Sequence, residues 1–243
     1  MRVCKLTKAM TTMSLSGTDT VFNVCDFGAK GDGVTDDILA FERALNAMGP
    51  AEQVVGAVLY VPPGYYLSRT LNLTRHVRLE GASGRGWQSA SNLIFATGVT
   101  GIVVHRLDTS ADGGRDDWSA IRHLGIKVTA PGTREDCHGI YLRATASIDH
   151  CDISGFSGNG IQIGGDLNDF PDNWMVCRTR VEGCHHGIRT MGGDANNGTR
   201  IVYWRHFQSN RGRGVREESL VRQEKRDCRG GDALHSRPPR RGR

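Results

Sequence analysis

The chain has no run of about 20 apolar residues, so nothing in it is long enough to cross a membrane as a helix. Aromatic residues make up only 7% and prolines number 7. The seven cysteines include no Cys-x-x-Cys pair, which leaves a disulfide or zinc framework as the weaker alternative. Cys137, Cys151, Cys177 and Cys184 lie in strand-like segments and are expected as buried reduced thiols, because free Cys packs as a small hydrophobe. After Met48 no stretch of ten residues keeps a helical period until the final segment, which excludes a helical bundle and an alternating α/β fold. The basic start carries no apolar segment behind it, so no signal peptide is read there.

A one-sided charge is also missing from most of the chain. The formal net charge is +5, and residues 215–243 supply +4 of it from nine Lys/Arg against five Asp/Glu. A nearly neutral body offers no extended basic face, so no nucleic-acid partner is expected. The last 29 residues contain eight Arg and few large aliphatics. They read as a disordered basic tail, out-of-frame or truncated where a further structural repeat belongs. Residues 1–20 read as a disordered extension.

What the chain does have is glycine and short alternating strands. The 32 glycines are about 13% of the residues, against a usual value of roughly 7%. Short apolar alternations recur from Val58 to Tyr203, separated by turns rich in Gly, Pro, Asn, Asp and Ser. Three of them form a repeat: ISGFSGNGIQI from Ile153, VEGCHHGI from Val181 and FQSNRGRGV from Phe207. The apolar anchors are 28 and 26 residues apart, and Gly160, Gly187 and Gly214 are 27 and 27 apart. A period of that length with strands at each repeat predicts a solenoid of stacked β-coils over residues 55–214. Ahead of it, Ile38, Phe41, Leu45 and Met48 follow a helical spacing that Gly49-Pro50 ends. The helix is predicted over residues 35–48, with Thr35 as its N-cap and Asp36 and Asp37 in its first turn.

The string NVCDFGAKGDGVTDD over residues 23–37 resembles the N-terminal signature of the pectate lyase-like superfamily. GAVLYVPPGYYL over residues 56–67 and VRLEGA over residues 77–82 are similar to it as well. The resemblance implies an all-β solenoid, a right-handed single-stranded parallel β-helix, whose N-terminal mouth is plugged by the helix. It further implies a carbohydrate-active protein, at the cell surface or outside the cell, acting on or binding an acidic polysaccharide as a lyase or glycoside hydrolase. A non-catalytic polysaccharide-binding or structural module, like a tailspike or adhesin, is the alternative. The polygalacturonase branch uses clustered aspartates, a His-Gly pair and an Arg-x-Lys strand. Here Gly164-Gly-Asp166 and His186-Gly187 are present, but no Arg-x-Lys follows Arg189 or Arg200.

Candidate catalytic residues are Asp166, His186, Arg189 and Asp194, which recur near the repeat spacing and on that ground are expected on one side of the coil. Asp169, Asp172, Trp174 and His185 are the candidate substrate contacts. Carboxylates supply acid and base, His a base, Arg a partner for a uronate, and an indole face a platform for a pyranose. The bland reading makes Asp166, Asp169 and Asp172 a solvated turn, and His185 and His186 exposed polar residues. Asp26, Asp32 and Asp36 raise calcium, but they lack the order and closing Glu of a calcium loop, so no cofactor is expected and calcium stands as the weaker alternative.

Overall fold

The computed structural model describes residues 21–50, 56–74, 76–85, 88–106, 119–166, 169, 171–191, 201–203, 206–208, 210–212 and 215–218. Among these, the strands form three parallel sheets of seven, seven and six strands. The chain visits the sheets in turn. From Ala57–Val61 in sheet A it passes to Gly64–Ser68 in sheet B, to Leu71–Leu73 in sheet C, and back to Val77–Gly81 in sheet A. Every pairing is parallel, with no hairpin in the described residues, so the expected right-handed parallel β-helix is the fold.

Inward-facing residues stack in register along each sheet. Leu59, Leu79, Ile121, Ile148 and Val176 form the ladder of sheet A. Tyr66, Leu93, Ile126, Ile153 and Val181 form that of sheet B. Ile102, Ile140, Ile161 and Ile188 form that of sheet C. All these side chains are buried, and each contributes about 1.5–3 kcal/mol of burial.

The glycine repeat is explained at the corner between sheets B and C. Gly101, Gly139, Gly160 and Gly187 each precede the first apolar residue of a sheet C strand. A Cβ on Gly101 would lie 2.6 Å from the Gly139 carbonyl oxygen, and one on Gly139 would lie 2.6 Å from that of Gly160. Successive coils approach there so closely that a side chain has no room. At the corner between sheets A and B the bend is made instead by left-handed residues, His123, His150 and Arg178, with φ of 55°, 51° and 42°.

The N-terminal signature builds the cap, with a different start from the one expected. The helix is Ile38–Ala47, and Thr35 and Asp36 lie in the strand Asp32–Asp36, which extends sheet B. Thr35 is not its N-cap, because the Asp32 carboxylate accepts from the Val34 and Thr35 amides and the Thr35 hydroxyl. Asp37 occupies the cap position, and its buried carboxylate turns back to accept from Lys30 N at 2.7 Å and Gly31 N at 3.0 Å. The spacing of Asp37 after Lys30 and Gly31 therefore closes a loop. The helix buries Ile38, Ala40, Phe41, Ala44 and Leu45, with Phe41 set edge-on to Tyr66 at 6.0 Å.

At the other end the folded region runs past the expected boundary at Gly214. Val215–Glu218 is a strand of sheet C paired in parallel with Ile188–Met191. The rest of the expected tail, and residues 1–20, lie outside the described residues. Cys25, Cys137, Cys151, Cys177 and Cys184 are free thiols, the last four buried as expected. Burial pushes the Cys151 thiol up to about 12 and the Cys184 thiol up to about 11, which keeps both protonated and unreactive.

Candidate functional site

The outer surface of sheet C and its corner toward sheet A gather the polar side chains. In-register pairing sets Asn72, Val103, Tyr141, Gln162 and Arg189 in one outward row across five coils. One residue beyond each strand end, the register carries His105 beside Arg143, about 4.8 Å apart as neighbouring strands are. His105 Nε2 donates to Asn72 Oδ1 at 2.7 Å, which leaves the lone pair on Nδ1. Desolvation, followed by the charge of Arg143, lowers the His105 pKa, so the imidazole is neutral at pH 7.

Asp169 is the centre of the corner. Its Oδ1 accepts from Arg143 Nε at 2.7 Å, and its Oδ2 accepts from the Tyr141 hydroxyl at 2.7 Å and the Asp166 amide at 3.0 Å. Its side chain is 1% exposed, whereas that of Arg143 is 33% exposed. Burial and the bond to Asp169 both raise the Tyr141 phenol, which stays protonated. His138, at the opposite corner of sheet C, is buried and accepts from the Asn159 amide at 3.0 Å through Nδ1. Desolvation, aided by Arg189, lowers its pKa to about 4.

The expected site residues divide by place. Asp166 is exposed at the corner, and Arg189 stands in the outward row. Asp169 is a buried anchor of Arg143 and Tyr141. Asp172 accepts from the Thr145 hydroxyl at 2.8 Å and so ties one corner turn to the next. Trp174 is 2% exposed and belongs to the core cluster, so its indole is no sugar platform; the apolar interior took it from the loop. His186 is buried rather than exposed, packed edge-on against the partly exposed His185 at 4.4 Å and lying under Gly212. Both lie at the corner across sheet C from the aspartates. Asp194 falls outside the described residues. Asn72, His105, Tyr141 and Arg143 were missed by the sequence reading. For Tyr141 and Arg143 the signal was the coil period, since they precede Asp169 by 28 and 26 residues, one coil each.

A coil of three parallel sheets with a helix over its N-terminal mouth is the fold that the resemblance implied, and the sequence likeness of its N-terminal part supports a pectate lyase-like superfamily. The family model described as "Rhamnogalacturonase A/epimerase, pectate lyase-like" matches residues 21–123. The pre-neck appendage protein of Bacillus phage phi29 is 31% identical over 153 residues, which are 55% of this chain and 16% of that protein. A mannuronan C5-epimerase of Azotobacter vinelandii is 40% identical over 92 residues, 34% of this chain and 10% of that protein. The chain thus spans less than a fifth of the length of either relative. Among solved structures, ORF18 of Geobacillus virus E2 superposes with a TM-score of 0.51 at 22% identity, covering 82% of this chain and 40% of that one. That likeness shows the fold.

Proposed function

We propose that the chain takes an acidic polysaccharide along the outer face of sheet C and acts on it by proton abstraction next to a uronate carboxylate. The observation that carries this reading is the juxtaposition of a neutral imidazole, His105, and a fixed guanidinium, Arg143, one coil apart. Asp169 takes the Nε–H of Arg143 and so fixes the orientation of the guanidinium. Arg143 and Arg189 pair with sugar carboxylates and, by withdrawing their charge, acidify the adjacent C5–H. His105 Nδ1 takes that proton. For elimination, the C5–H electron pair becomes the C4–C5 double bond, the C4–O bond breaks, and the imidazolium returns its proton to the leaving oxygen. Asp166 sits at the edge of the same face to accept from sugar hydroxyls.

Hydrolysis is the weaker half of the sequence reading. It needs two accessible carboxyl groups about 5–9.5 Å apart, and Asp169 is buried and engaged. Among the described residues of this corner, Asp166 is the exposed carboxylate. The mannuronan epimerase likeness supports a polyuronate as the ligand class. Incubation with polygalacturonate and with alginate, read as absorbance of a 4,5-unsaturated uronate and as inversion at C5, tests the reading. His105→Ala abolishes turnover and leaves binding in place if the assignment is right. Binding of polyuronate with neither product from the wild type would instead support the second reading, a tailspike- or adhesin-like binding module, which the phage relative favours.

A further inference from the structure

A second cluster lies on the outer face of sheet B, away from every residue of the sheet C row. The strands Leu124–Val128, Asp152–Ser154 and Arg180–Glu182 run side by side, with Gly125, Asp152 and Arg180 in one row and Lys127, Ser154 and Glu182 in the next. Asp152 is central and its side chain is 5% exposed. Lys127 Nζ stands 3.6 Å from its Oδ2, and Arg180 Nη1 stands 3.7 Å from its Oδ1. Oδ1 is buried and has no hydrogen-bond partner among the described residues. Arg180 is held on its other side by Glu182, through Nη2 to Oε2. Lys127 keeps 36% of its side chain exposed. Beside this cluster opens a cavity of about 480 Å³, walled by Lys127, Pro131, Ser154, Gly155, Glu182 and Gly183. That volume suits a small ligand.

The parts fit a carboxylated sugar. Lys127 provides the cation, Ser154 and Glu182 provide partners for hydroxyls, and Pro131 provides an apolar wall for a ring face. Both contacts of Asp152 to cations exceed normal hydrogen-bond length, so Lys127 is incompletely neutralised by its own neighbour.

We infer that this cavity on sheet B is a second saccharide-binding site, taking an acidic sugar through Lys127, separate from the groove on sheet C. The inference rests on the acidic-polysaccharide reading for its ligand class but not for its location. It also carries a pH signature. Burial raises the Asp152 carboxyl above its ordinary range, against the opposing pull of Lys127 and Arg180 and with Glu182 adding repulsion. As pH falls, Asp152 takes a proton, Lys127 loses its internal counter-charge, and the site favours an external carboxylate.

The test is amide-resolved NMR titration of the isotopically labelled chain with tri-galacturonate, reading Gly155 and Gly183 for this cavity and Gln162 and Gly164 for sheet C. Perturbation of Gly155 and Gly183 is expected, with binding several-fold tighter at the acid end of a titration from pH 7 downward than at pH 7. Lys127→Ala should abolish it, with Lys127→Gln as the milder control of folding. Asp152→Asn should remove the pH dependence while keeping tight binding. Silence at Gly155 and Gly183 overturns the inference, as does binding there that is unchanged in both Lys127 variants or weaker at low pH. Silence confined to Gln162 and Gly164 overturns the sheet C reading alone.

Discussion

Arg143 reaches across one coil to Asp169, Nε to Oδ1 at 2.7 Å, and in doing so compensates a carboxylate that is 1% exposed. Removing the cation leaves that charge with the Tyr141 hydroxyl and one amide. Arg143→Ala is expected to cost about 2–4 kcal/mol, the lower part of the range for an orphaned buried charge because Arg143 is partly solvated. Tyr141→Phe is expected to cost about 1 kcal/mol. Urea denaturation of the two variants and the double variant measures both terms and their coupling. A loss from Arg143→Ala no larger than that from Tyr141→Phe would contradict the account.

The cap makes a sharper demand. Phe41 is fully buried between the helix and Tyr66. Phe41→Asp removes that packing and inserts a carboxylate, so a loss of roughly 3 kcal/mol or more is expected. A melting temperature equal to that of the wild type would show that the helix does not seal the coil.

Stability should also fall on mild acidification. His138 has a folded pKa of about 4, below the roughly 6.5 of an unfolded histidine. The unfolded state therefore binds the proton first. The stability is fully present above about pH 6.5 and is lost as pH falls through about 4, by up to about 3 kcal/mol. His138→Gln keeps an acceptor for the Asn159 amide and should flatten the dependence in that window. Equal pH profiles for the two proteins would rule out His138 as its source.

At the glycine corner, Gly139→Ala places a methyl group 2.6 Å from the Gly160 carbonyl oxygen and 2.6 Å from Ile153 Cγ2. The coil must part there, at an expected cost of about 1–3 kcal/mol. Gly98→Ala meets nothing within 4 Å, so any loss there comes from its left-handed φ of +81°. Thermal melts of the pair separate crowding from backbone strain. A smaller loss at Gly139 than at Gly98 would refute the crowding argument.

The coil itself was legible because its causes are local and repeated. Ile153 and Val181 mark successive inward positions, and Gly160 and Gly187 mark successive close approaches, so one period reveals the coil. Thr35 misled because a Ser/Thr before acidic residues is the ordinary start of a helix. Here Asp32 takes the hydroxyl and Asp37 closes the preceding loop, contacts that depend on where strand Asp32–Asp36 docks. Trp174 and His186 were misplaced for the converse reason. Polar neighbours in sequence concealed that their own positions face inward or beneath the next turn. His105 and Arg143 carry no motif at all. They become a pair only through the register of Ile102–Val104 with Ile140–Leu142, two strands 38 residues apart.

The links from sheet C back to sheet A differ widely in length, from residues 74–76 and 143–145 to residues 105–118, 164–174 and 192–200. The ladders they connect keep the same spacing regardless. The length of a link is thus independent of the stacking of the rungs on either side. The short link between Leu142 and Ala146 is the exception that must be kept, because Arg143 and Thr145 within it hold Asp169 and Asp172 of the next coil.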